Sequence, residues 1–216
     1  MTLKEVQVLA SQGEHETLEF KRKVAHPEKI VREVVAFANT KGGKLLIGID
    51  DNGSVPGLKF AREDQFSLNK AIKKLCKPSI KYNSEIVPIS AKRAVISYEI
   101  FESEKKPHYV IEDTITRKGK AYVRVEDKSL QASKEVREIL KRGKRTKGVK
   151  FHFGRKEKLL MEHLDKNTSI TIKEFQHIAS LPKYIASKTL IQLVLANVLS
   201  VKAEEGEDHY FAKIPD

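Results

Sequence analysis

The chain has 216 residues and a single cysteine, Cys76. One cysteine excludes an internal disulfide framework and fits a reducing, cytoplasmic compartment. Cys76 follows Ile72 and Leu75 on an expected helix, where it reads as a small buried hydrophobe rather than a nucleophile. No apolar run reaches the roughly 18 residues that a membrane-crossing helix needs, so no membrane association is expected. The N-terminus, MTLKEVQVLASQGE, lacks the apolar stretch of a secretory signal and carries acids instead. The seven histidines show no ligand spacing, so no zinc site is expected. A Walker loop is also missing. The glycines of TKGGKLLIG precede a strand, and no Lys-Ser/Thr follows them into a helix, which argues against ATP hydrolysis.

What the chain has in excess is positive charge. The net charge is +12, and it is unevenly placed. Residues 151–216 hold 9 basic and 9 acidic groups, while residues 1–150 hold 32 basic and 20 acidic ones. A basic surface draws phosphate backbones by releasing their counterions, so nucleic acid is the expected partner. A merely solvated basic surface is the alternative.

The most organised stretch runs from Gly13 to Gly53: GEHETLEFKRKVAHPEKIVREVVAFANTKGGKLLIGIDDNG. Leu18 and Phe20 alternate with Thr17, Glu19 and Lys21, which predicts a strand with Glu19 and Lys21 on one face, about 7 Å apart. Pro27 stands where a helix can begin, and Ile30, Val34, Phe37 and Ala38 recur at helical spacing. Asn39 and Gly42-Gly43 end that helix. KLLIGID then predicts a buried strand, and Asp51-Asn52-Gly53 a turn. This strand, helix and strand can bring Glu14, Glu19 and Asp51 together from distant sequence.

Further on, VPGLKF predicts a short strand. Residues 61–76 predict a helix with Phe66, Ala71, Ile72 and Leu75 inward and Lys70, Lys73, Lys74 and Lys77 outward. Residues 84–89 and 93–101 predict a hairpin, with further strands at 107–111 and 121–125 and a helix at 133–140. Helices and strands mixed around hairpins favour an α+β fold, a mixed sheet with flanking helices. The run KRGKRTKGVK at 141–150 is the best boundary, either a solvated linker or a basic arm for nucleic acid. The expected division is therefore 1–140, a linker at 141–150, and 151–216.

Residues 155–214 predict a small winged helix-turn-helix. Its helices lie at 155–164, 172–179 and from Pro182 to about 197, and a wing pairs 198–202 with 209–212. Its third helix would offer Lys183, Tyr184, Ser187, Lys188 and Gln192 to DNA. The wing tip carries Glu204, Glu205, Glu207 and Asp208, which phosphate would repel, so a protein-contact role stays open.

GExxxxEFK, AFANTxGG, LLIGIDD and the later AYVRVEDKSLQAS, in this order, resemble the Schlafen AlbA-2 domain, also called divergent AAA-4. The resemblance covers roughly residues 10–140. One departure is Glu126, which stands where many members have glycine after the Tyr-x-Arg-x strand. The resemblance implies a nucleic-acid-binding domain, expected here as a transcriptional regulator. The nucleolytic Schlafen proteins imply a second reading, a metal-dependent endoribonuclease acting on tRNA or other structured RNA. That reading places the catalytic and metal-binding acids on Glu14, Glu19 and Asp51, with Lys21 beside them and Asp50 as fallback, and with Mg²⁺ or Mn²⁺ as cofactor. The alternative is that these acids cap turns and pair with Lys21, Arg22 or Lys23. Arg117, Lys118, Lys120 and Arg124 form an expected phosphate-contact hairpin with Tyr122 available for stacking, and Lys183 and Lys188 an expected second contact. One copy of the domain implies a homodimer if a two-lobed RNA groove is to form.

Overall fold

The computed structural model describes residues 1–113, 115–116, 118–143 and 153–213. The chain divides into two units, Met1–Gln131 and Ala132–Asp216. Among the described residues no helix is long and apolar enough to cross a membrane.

The first unit is a mixed α+β structure. Helix α1 (Leu3–Gln12) starts on a capping box in which Thr2 and Glu5 exchange hydrogen bonds. Strand β1 (Leu18–Lys21) leads to α2 (Pro27–Asn39), which has proline in its first turn. Strand β2 (Gly43–Ile47) returns parallel to β1, with Glu19 opposite Leu45. Helix α3 (Ala61–Leu75) and the two-residue strand β3 (Cys76–Lys77) follow. Strands β4 (Tyr82–Ser90) and β5 (Arg93–Ile100) form an antiparallel hairpin that completes a sheet in the order β1-β2-β5-β4. Strand β6 (Tyr109–Ile111) pairs with both β3 and β7 (Gly119–Lys120) in a smaller sheet. Strands β8 (Tyr122–Val125) and β9 (Lys128–Gln131) close the unit as a hairpin.

The alternation of each strand decides which core it feeds. Leu45, Ile47, Ile96, Tyr98 and Ile100 join Ile30, Val34, Phe37, Leu68 and Ile72 on the face covered by α2 and α3. Leu18, Phe20, Leu46, Ile49 and Val95 join Val6 and Ala10 of α1 on the opposite face. The Gly-Gly pair is a close-approach requirement. A Cβ on Gly43 would stand 2.5 Å from the Phe37 ring, and Gly42 adopts φ +75° with a virtual Cβ 2.6 Å from the Ile100 carbonyl oxygen.

Two expectations for this unit are corrected. VPGLKF is not a strand: only Leu58 bridges, to Ala94, because Pro56 offers no donor and Gly57 turns at φ +66°. Phe66 does not point inward but is 70% exposed. The strand at 121–125 has a partner that was not foreseen, β9, reached through a turn in which Glu126 takes φ +56°. Glycine takes that left-handed conformation without cost, whereas Glu126 adopts it at some strain. The thiol of Cys76 is buried, and burial pushes its pKa up to about 12, in keeping with a packing role.

The second unit begins with α4 (Lys134–Arg142), capped by the Ser133 hydroxyl, which accepts from the Val136 N–H at 3.0 Å. Helices α5 (Arg155–Leu164), α6 (Ile172–Ala179) and α7 (Lys183–Leu195) follow, then an antiparallel pair β10 (Leu199–Lys202) and β11 (His209–Ala212). Ile170 bridges to Tyr210 in β11. Leu160, Leu164, Phe175, Leu190, Leu193 and Tyr210 make its core. Placing α4 in this unit differs from the expected boundary after residue 140. The physical reason is polar and local: Ser187 in α7 donates to Glu135 at 2.7 Å, and Ser133 donates to Asp208 at 2.5 Å. Most of the run at 141–150 lies outside the described residues; Lys141 and Arg142 finish α4.

Candidate functional site

The first charged cluster forms where β1, α2 and the β8–β9 hairpin meet. Glu19 points to the α2 side of the sheet and its side chain is 6% exposed. Arg124, from β8, is 1% exposed and reaches it: Nη1 donates to Glu19 Oε2 at 2.8 Å and to Glu33 Oε2 at 3.0 Å. The same nitrogen lies 3.3 Å from Ser129 Oγ, and Nη2 donates to the His15 carbonyl at 2.9 Å. The guanidinium sits over the Phe37 ring, 4.8 Å from its centroid. Ser129 donates to Glu33. Lys21 donates to the other oxygen of Glu19 and, at 2.9 Å, to the Phe20 carbonyl. Both Glu19 oxygens are therefore engaged by cations.

Backbone latches hold this cluster in place. Thr40 Oγ1 accepts from the Arg124 N–H at 2.9 Å while donating to the Ala36 carbonyl at 2.8 Å. Asn39 is buried and donates to the carbonyls of His108 at 3.0 Å and Tyr122 at 2.9 Å, and it accepts from the His108 N–H at 2.7 Å. The Phe37, Asn39, Thr40 and glycine positions of AFANTKGG thus all have mechanical roles. They seat the strand carrying Arg124 against the strand carrying Glu19.

Electrostatics follow the burial. Burial pushes the Glu33 carboxyl above its ordinary range, and the neighbouring Glu19 charge adds to this. Burial also raises Glu14, with repulsion from Glu19 and Asp51 in the same sense, although its Oε1 accepts from the Phe20 N–H at 2.8 Å. For Lys21 burial acts downward, but the hydrogen bond and charge of Glu19, with Glu33 and Glu14, outweigh it and hold the ammonium above its ordinary value. Glu14 lies within electrostatic reach of Glu19, Lys21 and Asp51. Asp51 stands exposed in the turn, and Asp50 pairs with Arg22 at 3.2 Å and accepts from Ser54. A divalent ion shared by Glu14, Glu19 and Asp51 does not fit these donors as they stand. Both Glu19 oxygens already face cations, and among the described residues no three His, Cys, Asp or Glu side chains are grouped to hold a metal.

The residues of the expected phosphate-contact hairpin fall in different environments. Arg124 is corrected: it is locked in the buried cluster and cannot present its guanidinium to a phosphate. Tyr122 is buried at 6% exposure, so its ring cannot stack on a base. Lys118 is exposed, and Lys120 pairs with Glu112 at 3.1 Å. Arg117 lies outside the described residues. On α7, Lys183, Tyr184 and Lys188 are exposed, but Ser187 is buried against Glu135, so it drops out of the expected DNA face. A second charged group was not foreseen as a site. Lys70, Lys73, Lys74 and Lys77 are exposed along and just beyond α3, and among the described residues none of them has a carboxylate partner.

Residues 14–133 match the family described as Schlafen, AlbA_2. The chain belongs to the Schlafen AlbA_2 family. The matched span ends at Ser133, the cap of α4, two residues beyond the end of the first unit. Among solved structures, the DIP2311 protein of Corynebacterium diphtheriae is similar at 20% identity and a TM-score of 0.43, over 62% of this chain and 29% of that one. The N-terminal domain of a RecG-related protein from Nitrosomonas europaea is similar at 17% identity and a TM-score of 0.42, over 62% of this chain and 94% of that one. At these TM-scores neither neighbour carries an argument about function. No curated protein matches the chain.

Proposed function

We propose that this Schlafen AlbA_2 protein binds nucleic acid and acts as a transcriptional regulator. The observation that carries the reading is the set of exposed lysines on the first unit, Lys70, Lys73, Lys74 and Lys77, which have no carboxylate partner among the described residues; the first unit, with 24 basic and 18 acidic groups, holds half of the +12 excess. Cations without intramolecular partners keep only counterions and water, and they release the counterions when a phosphate backbone docks. The second unit is read as a winged helix-turn-helix, supported by α6 and α7 in succession, the β10–β11 hairpin, and exposed Lys183, Tyr184 and Lys188 on α7. Its hairpin turn is acidic, but part of that charge is internally engaged: Glu207 pairs with Lys173 at 3.2 Å and Asp208 with Ser133. The reading takes a homodimer as the binding form.

The endoribonuclease reading, with Mg²⁺ or Mn²⁺ on Glu14, Glu19 and Asp51, is favoured only by the electrostatic influence of Glu19 and Asp51 on Glu14, and it requires Glu19 to release Lys21 and Arg124. One set of assays separates the two. The full chain is titrated with duplex DNA and tRNA over a salt series, and the same RNA is examined for cleavage with Mn²⁺, Mg²⁺ or EDTA. Salt-sensitive binding without cleavage supports the binding role. Metal-dependent cleavage would replace it by the enzyme, and absence of binding at low salt would reject both.

A further inference from the structure

We propose that the groove between α3 and the segment entering β4 receives an unpaired base of a single-stranded nucleic acid, with Lys70 and Lys73 on the flanking phosphates. This rests on the nucleic-acid reading above and names its ligand class and site. The groove has a volume of about 700 Å³ and is lined by Phe66, Asn69, Lys70, Lys73, Ile80 and Tyr82, among others. That size is typical of pockets for small aromatic ligands.

Helix geometry sets its chemistry. Ala61, Leu68 and Ile72 bury one face of α3. Phe66, Lys70 and Lys73, spaced four and three apart, share a different face. Phe66 is 70% exposed there. An aromatic ring held in water beside unpartnered ammonium groups is the combination that binds bases by stacking and phosphates by charge. The opposite wall is fixed. The hydroxyls of Tyr82 and Tyr98 both donate to Asn69 Oδ1 at 3.1 Å, and their rings lie 5.8 Å apart, inclined at 42°. With Oδ1 taken twice, the amide hydrogens of Asn69 are the donors left for the polar edge of a base. No carboxylate lines the groove.

The base must be unpaired, because a base in a duplex is stacked on both faces and cannot enter a groove. The charge of the rim argues against docking of the same face of a second copy here, since its Lys70, Lys73, Lys74 and Lys77 would meet like charge.

The test measures fluorescence anisotropy of a labelled single-stranded oligonucleotide and of its duplex with the full chain, as wild type, Phe66→Ala and Phe66→Trp. Phe66 is largely in water, so both variants are expected to melt like the wild type. Phe66→Ala is expected to lose about 5- to 150-fold in affinity for the single strand, with less than about twofold change on the duplex, and Phe66→Trp to restore binding. If wild type binds nucleic acid and Phe66→Ala binds the single strand equally well, the groove proposal falls and the binding function stands. Equal losses on single strand and duplex also sink the groove proposal. If wild type binds neither at low salt, both fall. A change in sedimentation of Phe66→Ala with unchanged oligonucleotide affinity would assign the groove to self-association and overturn the proposal.

Discussion

The Glu19–Arg124–Glu33 cluster and the α3 lysine stripe lie in the same unit and differ in whether each charge has a partner. In the first, one guanidinium engages two carboxylates, a serine and a carbonyl, and a lysine takes the remaining oxygen of Glu19. In the second, the lysines are exposed and have no carboxylate partner among the described residues. A buried cluster in which every charge is paired is a joint between segments distant in sequence. An exposed unsaturated one has binding free energy still to release. The Glu19, Lys21 and Arg124 positions therefore read mechanically as a clasp, and the α3 lysines remain available to a ligand under the proposed function. The contrast also bears on mutagenesis of the acids. A Glu19→Gln variant leaves Arg124 short of a partner, so loss of activity in it does not by itself mark a catalytic residue.

The largest predicted effect breaks the clasp. Arg124→Met removes the cation between two buried acids and is expected to cost about 3–5 kcal/mol, read by urea unfolding. The Lys70→Gln/Lys73→Gln double variant, by contrast, is expected to stay within about 0.5 kcal/mol of wild type.

A smaller effect depends on pH. His108 is fully buried, with Nδ1 2.9 Å from the Pro78 carbonyl and Nε2 2.6 Å from Ser103 Oγ. Burial pushes its pKa below the ordinary 6.5. The unfolded chain then binds the proton more readily than the folded one. The stabilisation is present above about pH 6.5 and is lost as pH falls toward the lower folded value. Unfolding free energy measured from pH 7.5 to 5 is expected to drop, and less steeply in His108→Gln.

The smallest effect is at Glu14, whose raised pKa has the opposite sign. Its contribution favours folding below the ordinary value and is lost as the carboxylate ionises at higher pH. Glu14→Gln keeps an acceptor for the Phe20 N–H without the repulsion from Glu19 and Asp51. It is expected to raise Tm by about 1–2 °C at pH 7 and not at pH 4.

Local periodicity made much of the fold legible. The β1–α2–β2 unit, the β4–β5 hairpin and the helices at 155–164 and 172–179 follow from apolar spacing, caps and glycines read within one window. What spacing cannot show is pairing across the chain. Nothing near Arg124 says that its partners are Glu19 and Glu33. The available signal was its place in AYVRV, in phase with Tyr122 on a strand whose residues are otherwise apolar. Phe66 was misplaced for a related reason. An aromatic residue was assumed to be buried, although its helical phase agrees with Lys70 and Lys73 rather than with Leu68 and Ile72. Ser187 was read as exposed because α4 was assigned to the other domain, and it is α4 that carries its partner Glu135.

The central claim, that the α3 lysines rather than the acid cluster meet the ligand, is tested most directly by the salt dependence of binding. The slope of log affinity against log salt is measured on a single-stranded oligonucleotide for wild type and for Lys70→Gln/Lys73→Gln in the full chain. Losing two phosphate contacts is expected to reduce the slope by about 1.4 and weaken binding at low salt. An unchanged slope, with affinity within about twofold of wild type, would contradict the account and place the phosphate contacts elsewhere on the molecule.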